Sequence, residues 1–133
     1  MCLKVTEKSK ERKATKDIVV YKVVKLVDNV FLTPYYDAEV DIGDTYTSDI
    51  VYDKRNNLVD QALHSFATIN GAKLERQWQN NFHYFTAIVK CTIPKGARYI
   101  KGLYDTTISN GEYKSNMVEA YASDTITYNE ILK

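Results

Sequence analysis

The chain of 133 residues has two cysteines, two histidines, two prolines, five glycines and one tryptophan. Each scarcity excludes something. Cys2 and Cys91 cannot build a disulfide framework, and no CxxC, CxxH or HExxH spacing occurs. His64 and His83 are too few to complete a structural zinc site, so neither a metal nor any other cofactor is expected. The few prolines and glycines argue against disorder and collagen-like repeats. No Walker or dinucleotide glycine fingerprint is present, so no standard phosphate loop is expected. No apolar run approaches the roughly 18 residues of a membrane span, so no membrane role is expected. The N-terminus carries no apolar signal-peptide core, which makes the reduced cytoplasm the expected location. A net charge of +1 leaves no bulk attraction for nucleic acid, and none is expected as a partner.

What is present is ordinary in amount and uneven in place. Hydrophobic residues make up 44% and charged residues 26%, as in a soluble globular domain. Residues 1–16 hold six cations against two glutamates, a net of +4, and read as a flexible basic arm. Residues 17–133 read as a single globular domain. Within it, residues 28–60 carry a net of −6 and residues 69–101 a net of +5. The 11 tyrosines supply large amphipathic contact area at low entropic cost. Charge-split halves and tyrosine-rich faces suit a homo-oligomer.

Asp17 to Val27 is rich in β-branched residues and apolar on both parities, which predicts a strand buried on both faces. Asp28-Asn29 predicts a turn, with Val30 to Thr33 as the return strand that Pro34 ends. Ile42-Gly43-Asp44 predicts another turn, and Thr45 to Tyr52 a short edge strand or ordered loop. Residues 53–61 read as loop. Leu63 to Ala67 predicts a strand, and Thr68 or Asn70 caps a helix running to about Asn80, with Leu74 and Trp78 on one face. His83 to Ile93 alternates with period two and places Phe85, Ala87, Val89, Cys91 and Ile93 on a core face. Pro94-Lys95-Gly96 breaks it. Arg98 to Tyr104 reads as a strand and Asn110-Gly111 as a hairpin turn. A less regular stretch, Tyr113 to Tyr121, follows. Thr125 to Leu132 closes the chain, with Ile126, Tyr128, Glu130 and Leu132 on one face. The expected fold is α+β: a curved, mixed or mainly antiparallel sheet with one main helix.

Candidate chemistry is sparse. Lys95, the Gly96 amide and Arg98 form a small basic loop suited to a phosphate or carboxylate, and Tyr99 beside them could stack on a base. Lys90 adds a nearby cation. His64 and Ser65 are adjacent on a strand and point to opposite faces, so they are poorly placed to act as a base–nucleophile pair. His64 is therefore read as a polar ligand contact. Cys91 reads as a buried, inert thiol. Glu130 shares parity with apolar residues and is the single, weak candidate for a catalytic carboxylate.

The order Tyr21-Lys22-Val23, Pro34-Tyr35-Tyr36, Leu63-His64-Ser65-Phe66, Ile93-Pro94-Lys95-Gly96 and Tyr121-Ala122-Ser123-Asp124 resembles a group of short uncharacterised proteins of bacteria and their tailed phages. That resemblance implies an accessory protein of a phage or mobile element, in the cytoplasm of a bacterial host. A weaker likeness is to ADP-ribosyltransferase-type folds, in which Tyr21 or Lys22, His64, Lys95-Gly96 and Glu130 would fill the functional positions. Three functions follow as expectations. The first is a non-enzymatic binder of a nucleotide-like ligand, such as a host immune signal, using Tyr21, Lys22, His64, Lys90, Lys95, Arg98 and Tyr99. The second is an interaction module that inhibits a host protein. The third is an enzyme acting on NAD or ADP-ribose through Glu130.

Overall fold

Runs of β-branched residues dominate this chain, and strands dominate its structure. The computed structural model describes residues 3–4, 11–33, 38–53, 58–80, 85–109 and 113–132. The first strands are β1 (Leu3–Lys4), β2 (Arg12–Lys13), β3 (Ile18–Val27), β4 (Val30–Leu32) and β5 (Glu39–Val40). There follow β6 (Thr45–Thr47), β7 (Val51–Asp53), β8 (Leu58–Gln61) and β9 (Leu63–Phe66). The helix α1 (Ile69–Asn80) precedes β10 (Phe85–Ile93), β11 (Arg98–Ser109), β12 (Tyr113–Ser123) and β13 (Thr125–Leu132).

These strands form one antiparallel sheet, in the order β6-β13-β10-β3-β9-β12-β11-β1-β8-β7, with β2 beside β11 and β4 and β5 beside β3. The fold is thus mainly β with a single helix, compatible with the expected α+β class. The expected curvature is absent: the sheet is open and uncurled. The sheet carries an apolar cluster on each face, one of them under the helix. On one face α1 lies over Val23, Phe66, Ile88, Ile100 and Ala120, with Ala72 of the helix in the same cluster. On the other face Val20, Val24, Val89, Cys91, Ile93, Ile126 and Tyr128 cluster with Ala14, Val40 and Ala97. β3 and β10 pair along their whole length, from Phe85–Leu26 to Ile93–Ile18, and carry buried side chains on both faces.

Local signals explain most boundaries. Asp28 and Asn29 have φ of 50° and 67°, the two left-handed residues that a tight two-residue hairpin needs between Val27 and Val30. Thr68 caps α1, with its Oγ1 accepting from the Gly71 amide at 3.2 Å. The turn after β10 has Gly96 at φ 93°. Pro34, Tyr35, Tyr36, His83 and the Asn110-Gly111 turn lie outside the described residues, as does the side chain of Trp78.

Three expectations are corrected here. The stretch read as a flexible basic arm contributes strands: Leu3 is fully buried where β1 joins β8 to β11, and β2 pairs with β11. Its apolar Leu3 and Ala14 fill sites in the two clusters, which outweighs the charge around them. Residues 58–61, expected as loop, form β8, with Val59 buried beside Leu3. Phe85, expected in the core, is 80% exposed, because it stands at the first position of β10, outside the apolar cluster of that face.

Candidate functional site

The residues singled out in the sequence are dispersed over the two faces. Tyr21, Lys90 and Glu130 fall in one row on the helix side, since Lys90 pairs with Tyr21 on β3 and with Glu130 on β13. Glu130 does not share a face with Tyr128. The register of β13 shifts between Lys90 and Cys91, whose partners are Glu130 and Tyr128, so Asn129 is an extra residue. A bulge of this kind reverses the facing of everything beyond it. Ile126 and Tyr128 join the cluster away from the helix, while Leu132 packs against the helix-side cluster. Glu130 is exposed, and its Oε1 lies 3.8 Å from Lys90 Nζ.

The Lys95-Gly96 turn is not an open anion cradle. The Lys95 amide donates to Asp17 Oδ1 at 2.8 Å and the Gly96 amide to Ala14 O at 2.8 Å. The Ala97 amide donates to Pro94 O at 3.0 Å and the Arg98 amide to Asp124 Oδ1 at 3.0 Å. The Gly96 amide, expected to be available, is consumed in holding residue 14 against the turn. The side chains of Lys95 and Arg98 are exposed.

His64 and Lys22 meet where β3 exchanges neighbours. The second edge of β3 pairs with β9 at Tyr21 and with β4 from Lys25 to Val27. Between them the ladder opens, and Lys22 Nζ donates to His64 O in its place. The Lys22 amine is desolvated, which lowers its pKa from 10.5 to about 8 against a smaller opposing effect of Cys91. Cys91 donates to Val89 O at 3.6 Å, and burial pushes its pKa up to about 12, so the thiol is neutral. The His64 Nδ1 lies 3.2 Å from Ala62 O, and burial, then the nearby Lys22 charge, lowers its pKa to about 4. The ring is neutral at pH 7, with backbone contacts to Ala62 and Val59, and its Nε2 is buried without a hydrogen-bond partner. The hydroxyl of Ser65 is also buried without a partner. The facing of this pair is as expected: His64 stands opposite Ala122, Ser65 opposite Tyr121.

A second set of residues, mostly invisible in the sequence, assembles on the face away from the helix. Tyr99 of β11 and Tyr121 of β12 meet edge to face, with centroids 5.7 Å apart and planes at 65°. Arg12 pairs with Tyr99 across β2 and β11, and Lys101 pairs with Tyr121. Lys101 Nζ lies 5.8 Å from the Tyr121 centroid and 3.5 Å from Glu119 Oε2. One row therefore runs Lys101–Tyr121–Ser65, and the antiparallel register set by Tyr21–Phe66 puts Lys22 next to Ser65. Both tyrosines are half-buried, which holds their rings while leaving an edge to solvent. Of these residues the sequence pointed to Tyr99 and Lys22 as contacts. Arg12, Ser65, Lys101 and Tyr121 are brought in by cross-strand pairing alone.

Elsewhere a shallow polar hollow of about 470 Å³ is lined by Thr47, Ser48, Asp49, Gln61, Asp124 and Thr125. It contains no cation and none of the expected site residues. Among the described residues no group of three or more His, Cys, Asp or Glu is placed to hold a metal, and no helix is long and apolar enough to cross a membrane. No protein-family model, curated protein or solved structure matches the chain.

Proposed function

We propose that this chain is a non-enzymatic binding protein for a nucleotide-like ligand, taken on the Tyr99–Tyr121 platform. The observation that carries this reading is the edge-to-face tyrosine pair with Lys101 over one ring and Arg12 paired to the other. Aromatic faces stack on any base, and cations beside them meet phosphate oxygens. Each stacked base contributes about 1–3 kcal/mol in comparable sites. Catalysis is less well supported. Glu130, the carboxylate an ADP-ribosyltransferase-like reaction would need, is exposed and paired with Lys90, away from Lys95 and Tyr99. The family resemblance adds a context to this proposal: a phage or mobile-element accessory protein that sequesters a signal nucleotide in a bacterial cytoplasm.

A second reading rests on a different observation. Phe85, Leu26 and Ile131 are 80%, 38% and 43% exposed on one face, where Phe85 pairs with Leu26. Such a patch suits a protein partner, either a host factor or a second copy.

Thermal denaturation against NAD, ADP-ribose and cyclic mono- and dinucleotides distinguishes the two. A ligand at about 100 times its Kd stabilises by roughly 2.7 kcal/mol, a rise of about 5–15 °C in Tm. The rise is expected with at least one nucleotide and is expected to disappear in Tyr99→Ala and in Lys101→Glu. Recovery of the ligand intact separates binding from turnover. A flat response across the panel overturns the nucleotide reading and leaves the protein partner.

A further inference from the structure

Hydrogen-bond donors accumulate beside Tyr121 without acceptors to match. The Ser65 hydroxyl is buried and unpartnered, in a residue only 1% exposed. Its neighbour across the strand gap, Lys22, has three ammonium protons, and among the described residues only His64 O accepts one. Among the described residues no carboxylate acts on that ammonium; the ionisable groups coupled to it are Cys91, a neutral thiol donating to Val89 O, and the neutral His64 ring. Among the described residues the other groups on this side include the Tyr121 and Tyr99 rings, Arg12, Lys101 and Glu119, which Lys101 engages. A desolvated ammonium without a counter-ion and a hydroxyl without a partner are together complementary to an oxyanion.

We propose that Lys22 and Ser65 form an anion subsite next to Tyr121 on the platform face, which takes a phosphate group of the bound ligand. This rests on the nucleotide reading and adds to it what the platform lacks: a reason to prefer a phosphorylated ligand over its nucleoside. Arg12 and Lys101 are exposed or ion-paired, so they attract phosphate without discriminating strongly. Lys22 is neither. The half-buried Tyr121 ring spans the row between Lys101 and Ser65, so it must turn aside for the phosphate to enter.

The subsite is tested directly on the unmodified protein. The Lys22 amine is titrated by NMR on lysine-labelled protein, with and without inorganic phosphate. An anion bound at the amine favours its charged form, so the apparent pKa is expected to rise from its starting value near 8. A Lys22 titration unmoved by saturating phosphate overturns the proposal, most plainly if Lys101 responds instead. Binding of AMP and of adenosine is then compared in wild type, Lys22→Met and Ser65→Ala. AMP is expected to lose roughly tenfold or more in affinity in both variants, as for a lost charge-assisted hydrogen bond, with adenosine unchanged. Wild type that binds both equally retains the platform and removes the subsite. A Lys22 response to phosphate in a protein that binds no nucleotide or nucleoside removes the platform and retains the subsite.

Discussion

His64 keeps a neutral imidazole inside the fold, with Nδ1 bonded to Ala62 O and Nε2 unmatched. Its folded pKa of about 4 lies below the unfolded value of 6.5. The unfolded chain therefore binds a proton first as pH falls. The contribution of His64 is fully present above about pH 6.5 and is lost between there and about pH 4, amounting to roughly 3 kcal/mol. Urea unfolding at stepped pH is expected to show this loss in wild type, and His64→Leu is expected to flatten that limb. An identical slope in the variant removes the assignment. Lys22 acts on the alkaline side with the same sense. Its folded pKa of about 8 against 10.5 means that the unfolded chain holds the extra proton in between, so stability rises over that window. Cys91, pushed from 9 to about 12, loses stability from pH 9 upward and partly masks the rise. Lys22→Met removes the desolvated ammonium but leaves His64 O without its donor. The two effects are of similar size, so Tm at pH 7 is expected to change little, while the rise above pH 8 disappears.

Elements whose signal lies within a few residues were legible. The β-branched run of β3, the Asp28-Asn29 turn, the Thr68 cap and the alternation of β10 each state their structure locally. Several very short strands were not: β1, β2, β5 and β8 carry too few residues to show a period and exist through pairing with other strands, β1 and β2 with β11, β5 with β4, and β8 between β1 and β7. The bulge at Asn129 leaves no trace in composition either, and it is what moved Glu130 off the expected face. Two substitutions test the local devices. Gly96→Ala places a side chain at φ 93° with open space around its Cβ, so its cost is conformational, about 1–2 kcal/mol. Thr68→Ala removes the cap on the Gly71 amide and is expected to cost about 1 kcal/mol. Denaturant midpoints check both, and a neutral Gly96→Ala contradicts the left-handed turn.

At the scale of the whole molecule, both faces of the sheet carry load. Ile88 is 2% exposed under the helix and Ile93 is fully buried on the opposite face. Ile88→Ala and Ile93→Ala are each expected to cost about 2–5 kcal/mol in urea unfolding. Ile131→Ala, at 43% exposure, is expected to cost well under the core values. A small effect at either Ile88 or Ile93 contradicts the two-layer arrangement. The candidate site was legible only in part for the same reason that the core was. A platform made of Arg12, Tyr99, Lys101 and Tyr121 joins positions up to 109 residues apart, and only strand order makes them neighbours.

The sequence by itself determined where the long strands and the helix lie, because side-chain shape, turn residues and period act within the segment that carries them. It also determined that a disulfide framework and a glycine phosphate loop are absent, because those need residues this chain does not have. Only the tertiary structure decided which face each residue takes and which cations keep a free partner. It placed Glu130 outside, consumed the Gly96 amide and set Lys22 beside Ser65. Those outcomes depend on register between distant strands, and on β13 one extra residue, Asn129, is enough to move Glu130 to the other face.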